Sequence, residues 1–483
     1  MLISESSQAH RPGGPNGGLP EPQTNAPHHR RMLVGLVALA FTWRLYFILH
    51  FPQYSPDSYG YDQLAQNWLS HHVFGLEAGG HLTPVDFRLP GYPAFLALIY
   101  IITGLGQRAV MITQAALDTL TCLLAGRLAR SVAPYSCAGQ AEAWTVGIAA
   151  VCPFLPCYAA AVLSEVPTTF FLTAALVTAV SAFRRGNRWV WLGTGGLTGI
   201  ATLLRPESGL LAGAIGVALL VHYGERSQWP RLWRVGLIYG LGLGLALVPW
   251  TLRNAVSLHE FQPLAPRYAN SPGEYAPRGY CRWVRTWLVG MADVNEAFWN
   301  LDEQPISIAN LPNSAFDSPA ERARVASLLE RYNRSAEMTP EVDQGFAEIA
   351  AQRIARHPLR YYVTAPLERA FTMWFTPRVE TLAYSGDLWP PLKLLDVDRA
   401  DFLVSLSLAG INVLLVGLAV LGLLAWRGQL AYADLLLAWI LLRTAYLTTV
   451  ETPEPRYVLE CYPAIFVLAA LGVIAIRQRF RHG

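Results

Sequence analysis

Residues 402–426 read FLVSLSLAGINVLLVGLAVLGLLAW, 25 consecutive positions without a charged side chain. As a helix rising about 1.5 Å per residue, such a stretch reaches across the roughly 30 Å hydrocarbon core of a bilayer. It is apolar on every face, so it is at home in lipid, where a helix satisfies its backbone groups internally. Working outward, further apolar runs lie near 33–50, 91–104, 108–127, 143–162, 166–183, 189–204, 208–222, 234–250, 430–449 and 457–476. The composition agrees: 53% of the 483 residues are apolar and 15% charged, against about 25% charged in an average soluble domain. A string of soluble domains is excluded, and an all-α polytopic membrane protein is predicted.

The net charge of +3 is too small to point to nucleic acid. Arginine carries almost all the positive charge, Lys393 being the lone lysine. Four of the six cysteines (Cys122, Cys152, Cys157 and Cys461) lie in or beside apolar runs, and no spacing resembles a zinc site or a disulfide framework. Residues 1–30, rich in Pro, Gly, His and Ser, read as a disordered cytoplasmic segment, followed by a retained signal anchor. The positive-inside rule puts Arg30/Arg31, Arg127/Arg130, Arg184/Arg185/Arg188, Arg226/Arg231/Arg234, Arg427 and the tail Arg477/Arg479/Arg481 in the cytoplasm. That scheme closes if the short, Gly-bounded run 91–104 does not cross, which leaves about ten transmembrane helices with both termini cytoplasmic. The predicted units are a transmembrane module over 31–250 with a first outer loop 51–107, a mainly helical extracytoplasmic domain over 251–400, and C-terminal membrane helices over 401–483. Ser318-Pro319-Ala320-Glu321 and Thr339-Pro340-Glu341 mark helix starts, and His357-Pro358 a helix end. Residues 59–74 read as an amphipathic helix lying flat on the outer boundary, and 361–375 as an interfacial segment.

Ionisable groups at a membrane boundary are costly unless paired or hydrated, so each is a candidate for function. Asp57 follows Pro56 just beyond the first run; Glu165 and Glu207 sit between apolar runs; Arg88, Arg253 and Arg456 fall on the predicted outer side. The bland alternatives are a local Glu207–Arg205 ion pair and arginines that snorkel to headgroups. Together, however, one carboxylate base and several anion ligands suit transfer chemistry on a lipid phosphate.

The order Pro56-Asp57…Tyr61, Arg88–Pro93 (with Tyr92), Leu163–Pro167, Leu204–Glu207, Pro249–Asn254 and Arg456–Pro463 resembles the GT-C integral-membrane glycosyltransferases. Within them it is most similar to the protein-mannosyltransferase/aminoarabinose-transferase-like group. The resemblance implies a GT-C-like fold and inverting transfer of a sugar from a polyprenyl-phosphate donor to a hydroxyl acceptor on the outer face. It implies Asp57 as general base, Glu165 as an orienting acid, and Arg88 as a phosphate ligand, with Arg253 and Arg456 as further phosphate candidates. Tyr61, Tyr92, Arg205 and Glu207 complete the set. Ser58 stands where many relatives carry a second acid, so no metal pair is indicated; the chemistry requires no cofactor, although a divalent ion is compatible with it. The implied partners are the donor, a protein, lipid or glycan acceptor, and membrane lipids. The implied location is a plasma membrane, bacterial by the arginine-rich composition. The competing reading is a transporter or flippase of lipid-linked sugars, whose expected internal repeat is not visible.

Overall fold

The computed structural model describes residues 26–78, 80–266, 268, 275–299, 301 and 304–482. The chain opens with α1 (Ala26–His50), α2 (Pro56–His71), a hairpin β1 (Gly75–Ala78) and β2 (His81–Pro84), then α3 (Gly91–Thr103) and α4 (Gln107–Val132). Next come α5 (Ala138–Val151), α6 (Phe154–Ala159), α7 (Glu165–Arg185), α8 (Arg188–Leu204), α9 (Leu210–Tyr223) and α10 (Trp229–Ser257). A helical lobe holds α11 (Arg278–Val284), α12 (Met291–Val294), α13 (Pro319–Asn333), α14 (Pro340–Arg356), α15 (Ala365–Trp374) and α16 (Pro391–Val397). The chain closes with α17 (Arg399–Ala425), α18 (Ala433–Leu447) and α19 (Tyr462–His482).

Seven described helices are long and apolar enough to cross a membrane, and the protein is an all-α polytopic membrane protein. Three more of the expected crossings fall on shorter helices: α5 with 14 residues, α8 with 17 and α18 with 15. At about 1.5 Å per residue, the 13 residues of α3 reach only about 20 Å, in keeping with a run that does not cross. The run 143–162 is not one helix. It ends at Val151, because Pro153 lacks an amide donor and cannot continue the ladder, and restarts as the short α6. The expectation of disorder over 1–30 lies mostly outside the described residues, and its last five, from Ala26, are already helical.

Close packing holds the long helices together. At Gly422 a Cβ would run into the Leu468 carbonyl, and at Gly472 into that of Leu418, so α17 and α19 pack with their backbones nearly in contact. The hairpin was not foreseen. Its base is clamped by Arg253, which donates from Nη1 to Val85 O at 2.8 Å and from Nη2 to Phe74 O at 2.5 Å.

The lobe has its own core of Tyr280, Trp283, Trp287, Val325, Tyr332, Phe346 and Ile349. Both expected helix starts are present, Ser318 accepting from Glu321 N and Thr339 from Val342 N. Arg369 of α15 ties this lobe to the membrane helices, donating to Leu288 O at 2.8 Å and Thr448 O at 3.0 Å.

Candidate active site

Asp57 stands in the first turn of α2, whose start follows from its sequence. Ser55 and Ser58 cap each other reciprocally, and Pro56 presets the first helical φ. The connection between α1 and α2 is pinned by backbone bonds from Gln53 N to Ala160 O (2.9 Å) and from Val162 N to Gln53 O (3.4 Å). That tie brings Asp57 to the same wall as Glu165, at the N-terminus of α7. Arg205 has an extended backbone because Pro206 follows it, and this turn between α8 and α9 aims Arg205 and Glu207 at the same wall. Arg456 enters from the 3₁₀ segment Pro455–Cys461 that leads into α19.

These groups line a cavity of about 570 Å³ bordered on its far side by Tyr268, Cys281 and Phe298 near or within the lobe. Arg88 Nη2 donates to Asp57 Oδ1 at 2.7 Å, and Arg456 Nη2 to Asp57 Oδ2 at 3.1 Å. Arg456 also lies 3.6 Å from Glu165 Oε1 through Nη1 and 2.6 Å from Glu454 Oε2 through Nε. Arg205 reaches three carboxylates: Glu165 at 2.8 Å, Glu207 at 2.7 Å and Glu460 at 3.4 Å. Arg443 of α18, fully buried, closes the chain with Glu460 at 2.9 Å and Glu207 at 3.6 Å. Tyrosine rings sit under the cations, Tyr61 at 5.4 Å from Arg88 and Tyr457 at 4.8 Å from Arg205. Burial alone would push the Asp57 carboxyl up, but the guanidiniums of Arg88 and Arg456 outweigh it and hold the group below the usual carboxylate range.

Of the residues expected from sequence, Asp57, Tyr61, Arg88, Glu165, Arg205, Glu207 and Arg456 meet around this cavity. Arg253 does not: it lies outside the cavity lining, with Nη1 donating to Val85 O and Asn254 Oδ1 and Nη2 to Phe74 O, so it clamps the hairpin. Tyr92 is fully buried outside the cavity and donates its hydroxyl to Gln114 Oε1 at 2.8 Å. The local Glu207–Arg205 pair is real but is one link in a larger network. Arg443, Glu454 and Glu460 are not among the residues expected from sequence, although Arg443 and Glu460 carry a readable signal, being ionisable groups inside apolar runs. Among the described residues no cluster of three or more His, Cys, Asp or Glu side chains is placed to hold a metal ion.

Fold and site together define a membrane-embedded protein whose polar cavity, walled by alternating carboxylates and arginines, lies at the end of its spans. Residues 87–252 match the family model described as dolichyl-phosphate-mannose-protein mannosyltransferase. No curated protein matches the chain. Among solved structures the chain is similar to the oligosaccharyltransferase of Archaeoglobus fulgidus in complex with Zn and sulfate. The identity is 12%, over 93% of this chain and 50% of that one, with a TM-score of 0.49. It is also similar to ArnT from Cupriavidus metallidurans bound to undecaprenyl phosphate, at 17% identity over 92% of this chain and 77% of that one, TM-score 0.40. The chain thus spans about half the length of the oligosaccharyltransferase.

Proposed function

We propose that this protein is a membrane glycosyltransferase that moves a sugar from a polyprenyl-phosphate donor to a hydroxyl acceptor, with inversion, on the outer face of a bacterial plasma membrane. Both termini then lie in the cytoplasm, and the helical lobe covers the cavity from outside. The observation that carries this reading is the pairing of Asp57 with Arg88 and Arg456 on the wall of the cavity. The family description, which names a dolichyl phosphate sugar, supports the donor class.

Each group has a physical task. Asp57 takes the proton of the acceptor hydroxyl as its oxygen attacks the anomeric carbon. The bond from that carbon to the phosphate oxygen breaks, and the lipid phosphate leaves with the electron pair. Guanidiniums in a poorly solvated cavity stabilise the charge that develops on the leaving oxygen, and Arg88 and Arg456 are the two beside the base. Glu165 and Arg205, next along the same wall, orient the partners. Attack from the face opposite the leaving phosphate inverts the centre in a single displacement.

The test supplies membranes containing wild type or Asp57→Asn with a panel of radiolabelled polyprenyl-phosphate sugars and candidate acceptors. Transfer by wild type, reduced about 10²–10⁴-fold in the variant, is expected for the loss of a general base. Undiminished transfer in Asp57→Asn removes Asp57 from the mechanism. Labelled lipid crossing the bilayer unchanged would favour a flippase.

A further inference from the structure

Arg88 and Arg456 have two prospective anions to hold, and only one of them is the donor. Both oxygens of Asp57 are engaged, Oδ1 by Arg88 and Oδ2 by Arg456. A carboxylate held that way is a poor proton acceptor. We propose that Asp57 and the donor phosphate compete for the same two guanidiniums, so that the arriving phosphate takes the arginines and releases Asp57 to act as base. The proposal rests on the donor reading above and adds to it how the base is switched on.

The geometry limits where the exchange can occur. Arg456 is fixed at its stem: Nε is 2.6 Å from Glu454 Oε2, and the other Glu454 oxygen accepts the Tyr457 hydroxyl at 2.6 Å. Its Nη1 faces Glu165 at 3.6 Å. Only the Nη2 end, on Asp57, is free to change partner without breaking this bracket, which makes Glu454 the positioning residue for Arg456. Among the described residues Arg88 is held by Asp57 and by the face of Tyr61, and its side chain is 37% exposed, so it can swing to a phosphate at little cost.

Charge dictates the outcome. The groups around Asp57 are Arg88, Arg456, Tyr61 and Tyr457, with Glu165 and Glu454 behind Arg456. Arg456 therefore already faces three carboxylates, and a phosphate added to it without displacing one would gather four anions around a single cation. Asp57 is the one that can be displaced, since it is the most exposed of the three, with 26% of its side chain accessible against 1% for Glu165 and 6% for Glu454. Once its guanidiniums are gone, burial remains and raises its proton affinity. After transfer, the proton from the acceptor sits on Asp57, which is now neutral and no longer competes, while the departing phosphate monoester keeps both arginines. Loss of that proton to water restores the pairs and expels the product.

The affinity of the detergent-solubilised full chain for undecaprenyl phosphate, at one fixed pH, tests this. Asp57→Asn should bind about tenfold tighter than wild type, since removing the competing anion frees both donors, while Arg88→Met and Arg456→Met should bind more weakly. Equal or weaker binding by Asp57→Asn, with the two arginine variants still impaired, would overturn the competition and leave the donor reading standing. No binding by wild type would remove both. If Asp57→Asn does not fold, wild type alone gives the answer: the acid limb of kcat, which reports the loaded enzyme, should lie at higher pH than that of kcat/KM, and coincident limbs would overturn the proposal.

Discussion

Replacing Arg205 with methionine should destabilise the protein by about 3 kcal/mol, and the amount follows from its surroundings. Arg205 lies 2.8 Å from Glu165, 2.7 Å from Glu207 and 3.4 Å from Glu460, with its side chain 12% exposed. At an effective dielectric near 20, opposite charges about 3 Å apart attract by ~5.5 kcal/mol, and the desolvation of the guanidinium and its partners offsets most of the sum. Breaking a buried ion pair by removing one partner typically costs about 3–5 kcal/mol, because the other charge is left uncompensated. The lower end applies here, since each carboxylate keeps a second cation: Arg456 at 3.6 Å from Glu165, Arg443 at 3.6 Å from Glu207 and at 2.9 Å from Glu460. The assay is reversible unfolding of the detergent-solubilised protein by SDS, followed by tryptophan fluorescence. Adding Glu460→Gln should return ~1 kcal/mol or more, because without Arg205 three carboxylates share Arg443 and Arg456, and the change removes one of those three negative charges from a fully buried site. A loss below ~1 kcal/mol for Arg205→Met, or a double variant less stable than the single one, would refute the reasoning.

Three further outcomes are expected. The acid limb of kcat/KM should lie below the ordinary carboxylate range, because Arg88 and Arg456 keep Asp57 ionised in the free enzyme against the effect of its burial; the stability from those pairs is full above the unfolded pKa and is lost as pH falls through the lowered folded value, readable as a falling unfolding midpoint. Gly422→Ala should lower that midpoint by the equivalent of about 1–3 kcal/mol, since its methyl would meet the Leu468 carbonyl across the α17–α19 contact, and an unchanged midpoint would show that the helices separate freely. Arg253→Ala should loosen the hairpin, seen as faster proteolysis near 79–81, while the affinity for undecaprenyl phosphate stays within about twofold of wild type.

Most of the fold was legible because a span in lipid announces itself one segment at a time. The uninterrupted run 402–426 became α17, and the capping signals at Ser318 and Thr339 became α13 and α14. The run 143–162 divides into α5 and α6 because Pro153 interrupts the helix locally, which hydropathy alone does not register. The site was legible in part for a different reason. Asp57, Arg88 and Arg456 stood out as charges at a membrane boundary, yet Arg253 stood out equally and turned inward to a backbone no pattern announced. The pairing of Arg443 with Glu460 and Glu207 depends on α18, α19 and the turn after α8 meeting in space, which hydropathy does not encode.

The contact between Asp57 and Arg456 joins residues 399 positions apart in the chain. At about 5–20 residues per second of synthesis, the arginine emerges roughly 20–80 s after the acid it will hold. Until then Asp57 lacks one of its two counter-ions, and the cavity lacks the wall that Arg456 and Tyr457 provide. The site therefore cannot close before Arg456 has been made, and a ribosome that stalls ahead of it releases a chain in which Asp57 lacks this counter-ion.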